Sequence, residues 1–160
     1  MERYERIFFW FAALVLGLLL GCLAYITLFM DIHLPGHGGR IMPMNGKGLA
    51  ATVLVTPPFN HPGVHEISPG RYEAAILTMQ WIFYPRKIEV PAGSEITFRV
   101  TSTDVIHGFF IPGTRVNMMA VPGYVTVETY RFRRPGNYLL LCHEYCGRQH
   151  QTMWGEVIVK

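Results

Sequence analysis

The sequence predicts a mainly β fold, an antiparallel β-sandwich or barrel of short strands behind one N-terminal transmembrane helix. Three observations carry this reading. Ile7 to Met30 runs 24 residues without a charge, IFFWFAALVLGLLLGCLAYITLFM. After Arg71 the chain breaks into short segments, and Glu95 to Thr101 alternates so that Ile96, Phe98 and Val100 share one face. Between such segments stand Pro91-Ala92-Gly93, Pro112-Gly113, Pro122-Gly123 and Pro135-Gly136, residues that preset turn geometry.

At the helical rise the apolar run spans about 36 Å, more than the roughly 30 Å of a bilayer's hydrocarbon core. It is about twice the length of the apolar region of a cleaved signal peptide. Leu19-Leu20-Gly21-Cys22 loosely resembles a lipobox, but apolar residues continue past Cys22 to Met30, so a retained anchor is expected. Cys22 is then a small apolar residue in that helix. Arg3 and Arg6 face Arg40 and Lys47 across it, a weak charge signal for orientation. The expectation is a single-pass protein of the cell (inner) membrane, with its C-terminal domain on the periplasmic face.

Residues 31–70 hold seven Gly and six Pro without periodicity and read as a connector. His33, His37, His61 and His65, with Met30, Met42 and Met44, could suggest a copper-capturing tract. Their spacing is irregular, and solvated loop histidines are the better reading. A connector this long is rarely free-floating, and it is expected to lie against a partner subunit.

Residues 71–160 form the expected β domain, with further strands at Val125–Phe132, Tyr138–Cys142 and Glu156–Lys160.

Composition narrows the function classes. Half the residues are hydrophobic and 16% are charged, which excludes a disordered chain. Mean hydropathy is +0.22, much of it owed to the anchor. Three cysteines are too few for a disulfide scaffold. Net charge is +3 with no Lys/Arg run, so nucleic acid is not an expected partner.

The chemistry is concentrated in Cys142-His-Glu-Tyr-Cys146-Gly-Arg-Gln-His150-Gln-Thr-Met153, directly after a strand. Thiolates, an imidazole and a thioether suit copper, and a methionine in the set points away from structural zinc. One Cys with His and Met would describe a mononuclear blue-copper site, usually completed by a histidine from an earlier strand; His107 is the candidate. The second cysteine changes the count, because two thiolates on one loop can each bridge two metal ions. A Cys142–Cys146 disulfide is the competing reading, but it leaves His107, His150 and Met153 without a role.

This segment resembles the binuclear copper A motif, C-x-E-x-C-G-x-x-H-x-x-M, of subunit II of haem-copper cytochrome c oxidases. Ile88-Glu-Val-Pro-Ala-Gly93, Asp104-Val-Ile-His-Gly108 and Arg134-Pro-Gly-Asn-Tyr138 are similar to the B-type (ba3-like) branch, whose subunit II has one transmembrane helix. The resemblance implies a cupredoxin-like Greek-key domain. It implies that Cys142 and Cys146 bridge two copper ions, that His107 and Met153 complete one, and that His150 and the backbone carbonyl of Glu144 complete the other. Glu144 also matches a glutamate that helps hold magnesium in the A-type branch. His143 stands at a variable position of the motif and reads as a bystander near the surface.

By the same resemblance Gln80-Trp81-Ile82-Phe83-Tyr84-Pro85 lies over the copper site where cytochrome c docks, and Trp81 is the candidate point at which electrons enter. Ordinary strand core is the competing reading of that aromatic stretch. The implied function is electron transfer: the subunit takes electrons from a c-type cytochrome and passes them to haem in subunit I for O2 reduction. A copper A subunit of a nitric oxide reductase would look the same from this chain. A membrane-tethered copper carrier would not need both thiolates and both histidines. Residues 31–160 carry 12 Lys/Arg and nine Asp/Glu, and their acids are scattered. That predicts a largely apolar docking patch, or a donor that is neutral or acidic.

Overall fold

The computed structural model describes residues 2–29, 36–43 and 48–160. Met30, His33, Met44 and Lys47 lie outside them. The chain divides into one unit up to Leu34 and a second from Pro35 to Lys160.

The first unit is a helix, α1 (Arg3–Phe29), of 27 residues with no buried side chain. Glu5 in its first turn complements the partial positive charge of the helix N-terminus. Among the described residues it is the one helix long and apolar enough to cross a membrane.

The second unit holds a short helix, α2 (Leu49–Val53), and ten strands: β1 (Gly63–Ser68), β2 (Arg71–Met79), β3 (Ile82–Tyr84), β4 (Lys87–Val90), β5 (Glu95–Ser102), β6 (His107–Phe110), β7 (Asn117–Ala120), β8 (Thr126–Arg131), β9 (Gly136–Leu141) and β10 (Trp154–Val159). They form two sheets of five. One runs β1-β2-β5-β8 with β3 also on β2; the other runs β4-β10-β9-β6-β7. Most pairs are antiparallel, but β2–β5 and β10–β4 are parallel. An antiparallel sandwich or barrel is the expectation. Instead β5 enters beside β2 in the same direction after β4 has joined the other sheet, and β10, coming from β9, lies between it and β4 and runs parallel to β4.

The alternation of β5 comes out as a strand with Ile96, Phe98 and Val100 fully buried. Phe98 packs on Phe109 and Phe132, with ring centroids 5.4 and 6.4 Å apart. Burying each such ring contributes about 1.5–3 kcal/mol relative to leaving it exposed. Gly93 takes φ +80 in the turn before β5, a conformation open to glycine at little cost, and its N–H reaches the carbonyl of Phe132.

The stretch read as a connector is more structured than its composition suggested. It supplies α2 and β1, and Ile41, Val53 and Phe59 are buried with Ala75, Leu77 and Val125 in a second apolar cluster. β2 is therefore covered on both faces: Ala74 and Ile76 enter the main core, Ala75 and Leu77 the second one. Of the loop histidines, His61 and His65 are exposed, and the His65 ring is bonded to the His61 carbonyl at 2.9 Å.

Strand direction sets where the chemistry can lie. β9 runs toward Cys142, and β5 runs toward Asp104 and His107, so both deliver their loops to one end of the sandwich. The start of β5 pairs with Arg131 and the start of β9 with Val159, which places the β8–β9 turn at the opposite end.

Candidate metal centre

His107 opens β6 and is fully buried, held in the wall of the sandwich by pairing with Ala120. Cys142 follows the last residue of β9, and Met153 precedes β10. The loop between them is closed by its own backbone: Cys142 N–H donates to Met153 O at 3.3 Å, His150 N–H to Gly147 O at 3.1 Å, and Met153 N–H to His150 O at 3.2 Å. Two adjacent antiparallel strands thus fix both ends of a twelve-residue ligand loop.

The ligand atoms of His107, Cys142 and Cys146 all lie within 4.8 Å of one another, and all three residues are buried. The two sulfurs are 3.7 Å apart and both cysteines are free thiols, so the disulfide reading does not describe this site. Cys146 Sγ lies 3.6 Å from His150 Nδ1 and 3.8 Å from Met153 Sδ. Cys142 Sγ lies 3.2 Å from the backbone carbonyl of Glu144. The structure thus brings together every donor the motif suggested.

His107 carries a further sign. Its Nε2 bonds Asp104 Oδ1 at 2.8 Å, and a carboxylate only accepts, so Nε2 holds the proton. In the neutral ring this leaves Nδ1 bare, and that buried atom has no hydrogen-bond partner. A buried imidazole nitrogen facing two thiols with nothing to satisfy it is what a soft metal ion would complete. The carboxylate on the far side of the ring is the usual outer support of a metal-bound histidine.

The electrostatics separate the two thiols. Burial raises both. At Cys142 this is outweighed by the neighbouring His107 imidazole, by hydrogen bonds from the N–H groups of Gly108 and Glu144, and by Cys146, and its pKa falls to about 7. At Cys146 burial and the neighbouring Cys142 act together and push it up to about 12. Burial works against a charged His107, but Cys142 and Asp104 more than offset it and its pKa is raised. Burial likewise opposes ionised Asp104, yet the bonds from His107, Gln80 and Val105 hold it below the usual carboxylate range.

Trp81 is half-buried against the main core, as a strand aromatic would be, and it also touches the ligand loop. A Cβ on Gly147 would sit 3.1 Å from its indole nitrogen and 2.9 Å from Gln80 Nε2. Gln80 bolts the two loops together. Its side-chain amide donates to the Cys146 carbonyl at 2.7 Å, and its backbone N–H to Asp104 Oδ2 at 2.6 Å. Around this end the ligand-bearing loops expose Val105, Ile106 and, most openly, Tyr145 at 79%, and strand β3 exposes Ile82 and Tyr84.

Sequence reasoning missed Asp104, Gln80 and the fit of His143 over Gly108. A Cβ at Gly108 would lie 1.8 Å from His143 Nδ1, so the bystander histidine rests directly on the strand that carries His107. Asp104 had a usable signal, a carboxylate three residues before a candidate ligand; Gln80 had none.

Comparison with known proteins agrees with this geometry. The family model of the cytochrome c oxidase subunit II periplasmic domain matches residues 69–160. Cytochrome c oxidase subunit 2 of Thermus thermophilus is 44% identical over 97 residues, 61% of this chain and 72% of that protein; in a second Thermus thermophilus relative the same length covers 58%. The chain superposes on one of a haem-copper terminal oxidase dimer, determined by cryo-electron microscopy, with TM-score 0.73 and 30% identity, over 99% of this chain and 100% of that one. The periplasmic domain of subunit II of the Bradyrhizobium japonicum cytochrome oxidase shares the fold, with TM-score 0.52 and 24% identity over 55% of this chain and 83% of that one. The chain belongs to the cytochrome c oxidase subunit II family, a subunit of haem-copper respiratory oxidases.

Proposed function

We propose that this chain is the electron-accepting subunit of a respiratory haem-copper terminal oxidase and holds two copper ions. Cys142, Cys146, His107, His150, Met153 and the backbone carbonyl of Glu144 would hold them, the two thiolates serving both ions. Bound copper supplies one-electron exchange with little change in its surroundings. The observation that carries the reading is the bare, buried Nδ1 of His107 beside two free thiols.

The protein's own part is positional. Asp104 holds the His107 ring in the tautomer that leaves Nδ1 open. Gln80 fixes the ligand loop against the aromatic loop, and strand pairing keeps both rigid, so a change of redox state need not move them. Trp81 lies between the surface and the Cys146–Gly147 backbone, which suits it as the point where electrons enter. The exposed Tyr145, Tyr84, Ile82, Val105 and Ile106 supply an apolar rim for a c-type cytochrome. The electrons accepted here would be delivered to haem in subunit I, which supplies the O2 chemistry. The chain is anchored by α1, with this domain on the periplasmic face of the inner membrane. The likeness to the Thermus thermophilus subunit supports placing it in the B-type branch.

Rapid mixing of the purified complex with a reduced c-type cytochrome tests this. Fast oxidation of the cytochrome coupled to oxygen consumption, lost in Cys146→Ser, is expected. Cytochrome oxidation that persists in that variant would contradict the proposal.

A further inference from the structure

The end of the sandwich away from the metal centre carries a second concave site that electron transfer does not use. It is a groove of about 650 Å³ lined by Arg115, Arg131, Arg133 and Arg134 with Tyr130 and Tyr138. Three segments from both sheets converge there: the β6–β7 turn, the end of β8 and the β8–β9 turn. Tyr130 and Tyr138 each pack on the buried Phe132 with ring centroids 4.8 Å apart, which makes a firm floor. The Tyr138 hydroxyl donates to the Arg134 carbonyl at 2.9 Å and pins the turn that presents Arg133 and Arg134.

The charges do not balance locally. Arg115 pairs with Glu128 at 3.5 Å and donates to Thr129 O at 2.9 Å. Arg131 pairs with Glu95 at 3.5 Å, but that carboxylate also takes Arg71 at 3.2 Å. Arg133 and Arg134 make no ion pair among the described residues. Four guanidinium groups therefore meet two carboxylates, one of them shared outside the groove. A concave, cationic surface concentrates anions, and guanidinium forks bind phosphate oxygens in pairs. The volume is that of a small-molecule site, and the arginines come from separate segments, so one phosphate could not reach them all.

We propose that this groove binds a small polyphosphate anion, with linked phosphate groups held by Arg133 and Arg134 and flanked by Arg115 and Arg131.

Calorimetric titration of inorganic pyrophosphate into the detergent-purified complex at low salt tests it. Saturable binding is expected, weakened at least about tenfold in Arg133→Gln/Arg134→Gln, because charge-assisted hydrogen bonds are lost. Arg131→Gln should weaken it too, and Arg40→Gln, a cation elsewhere on the domain, should not. Both arginines of the double variant are exposed, and an unchanged thermal midpoint without ligand verifies its fold. No saturable binding, or equal binding by the double variant, would overturn the proposal. So would capture by vesicles of anionic phospholipid without pyrophosphate binding, which would assign the groove to a lipid headgroup.

Discussion

Asp104 and Gln80 meet through one hydrogen bond, from the Gln80 backbone N–H to Asp104 Oδ2 at 2.6 Å, while the other carboxylate oxygen holds Nε2 of His107. A single carboxylate therefore sets both the orientation of a candidate ligand and the position of the loop that carries Trp81. Asp104→Asn keeps the size but removes the obligate acceptor. Copper affinity should fall about 10–100-fold, the usual cost of losing such a support. Competition with a copper chelator measures it, and an unchanged thermal midpoint would separate the effect from unfolding.

Gly108 and Gly147 have no room for a side chain. Gly108→Ala would drive a Cβ into the His143 backbone and ring, and Gly147→Ala adds a φ of +120 to its contact with Gln80. Each should destabilise the domain by about 1–3 kcal/mol, the range for overpacking a filled site. Urea unfolding checks the loss, and Gly70→Ala, where φ is positive but space is open, should cost less.

The two thiols should titrate far apart in the copper-free protein. Thiolate absorbance should show one step near pH 7, from Cys142, and no second buried step until strongly alkaline pH. The Cys142 pKa lies below the ordinary thiol value of 9.0, so its contribution to stability is present above that value and is lost as pH falls through about 7. Cys146 has the opposite sign: its contribution is present below 9.0 and lost as pH rises toward about 12. His107→Ala should move the first step upward, since it removes the neighbouring imidazole that most favours the thiolate.

The exposed rim of the metal centre carries Tyr145, Val105 and Ile106, and it holds Arg148 as well as Asp104 rather than a cluster of carboxylates, so the rate of reduction by a basic cytochrome should change little with ionic strength. Tyr145→Ser should weaken docking about tenfold, as truncation of a central aromatic contact does. A steep fall of the wild-type rate with salt would show that carboxylates steer the donor instead.

Legibility in the sequence followed locality. β5 could be read because Ile96, Phe98 and Val100 alternate with residues on a more open face. β2 could not, since Ala74 to Leu77 is buried on both sides and its outer cover, Ile41, Val53 and Phe59, comes from a stretch that reads as loop. α2 has five residues, too few for a helical period to register. Cys142 to Met153 was legible as one contiguous motif, and His107 through its spacing and setting. Gln80 acts through contacts 24 and 66 residues away, and the arginines of the distal groove span 19 positions from Arg115 to Arg134. Such relationships exist once the sheets have formed and have no local pattern to betray them.

Copper quantification with electron paramagnetic resonance on the purified complex tests the binuclear centre most directly. Two copper ions per chain are expected, with one unpaired electron shared equally between them and the signal lost in Cys146→Ser. One copper ion with a mononuclear signal, or a signal unchanged in that variant, would contradict it.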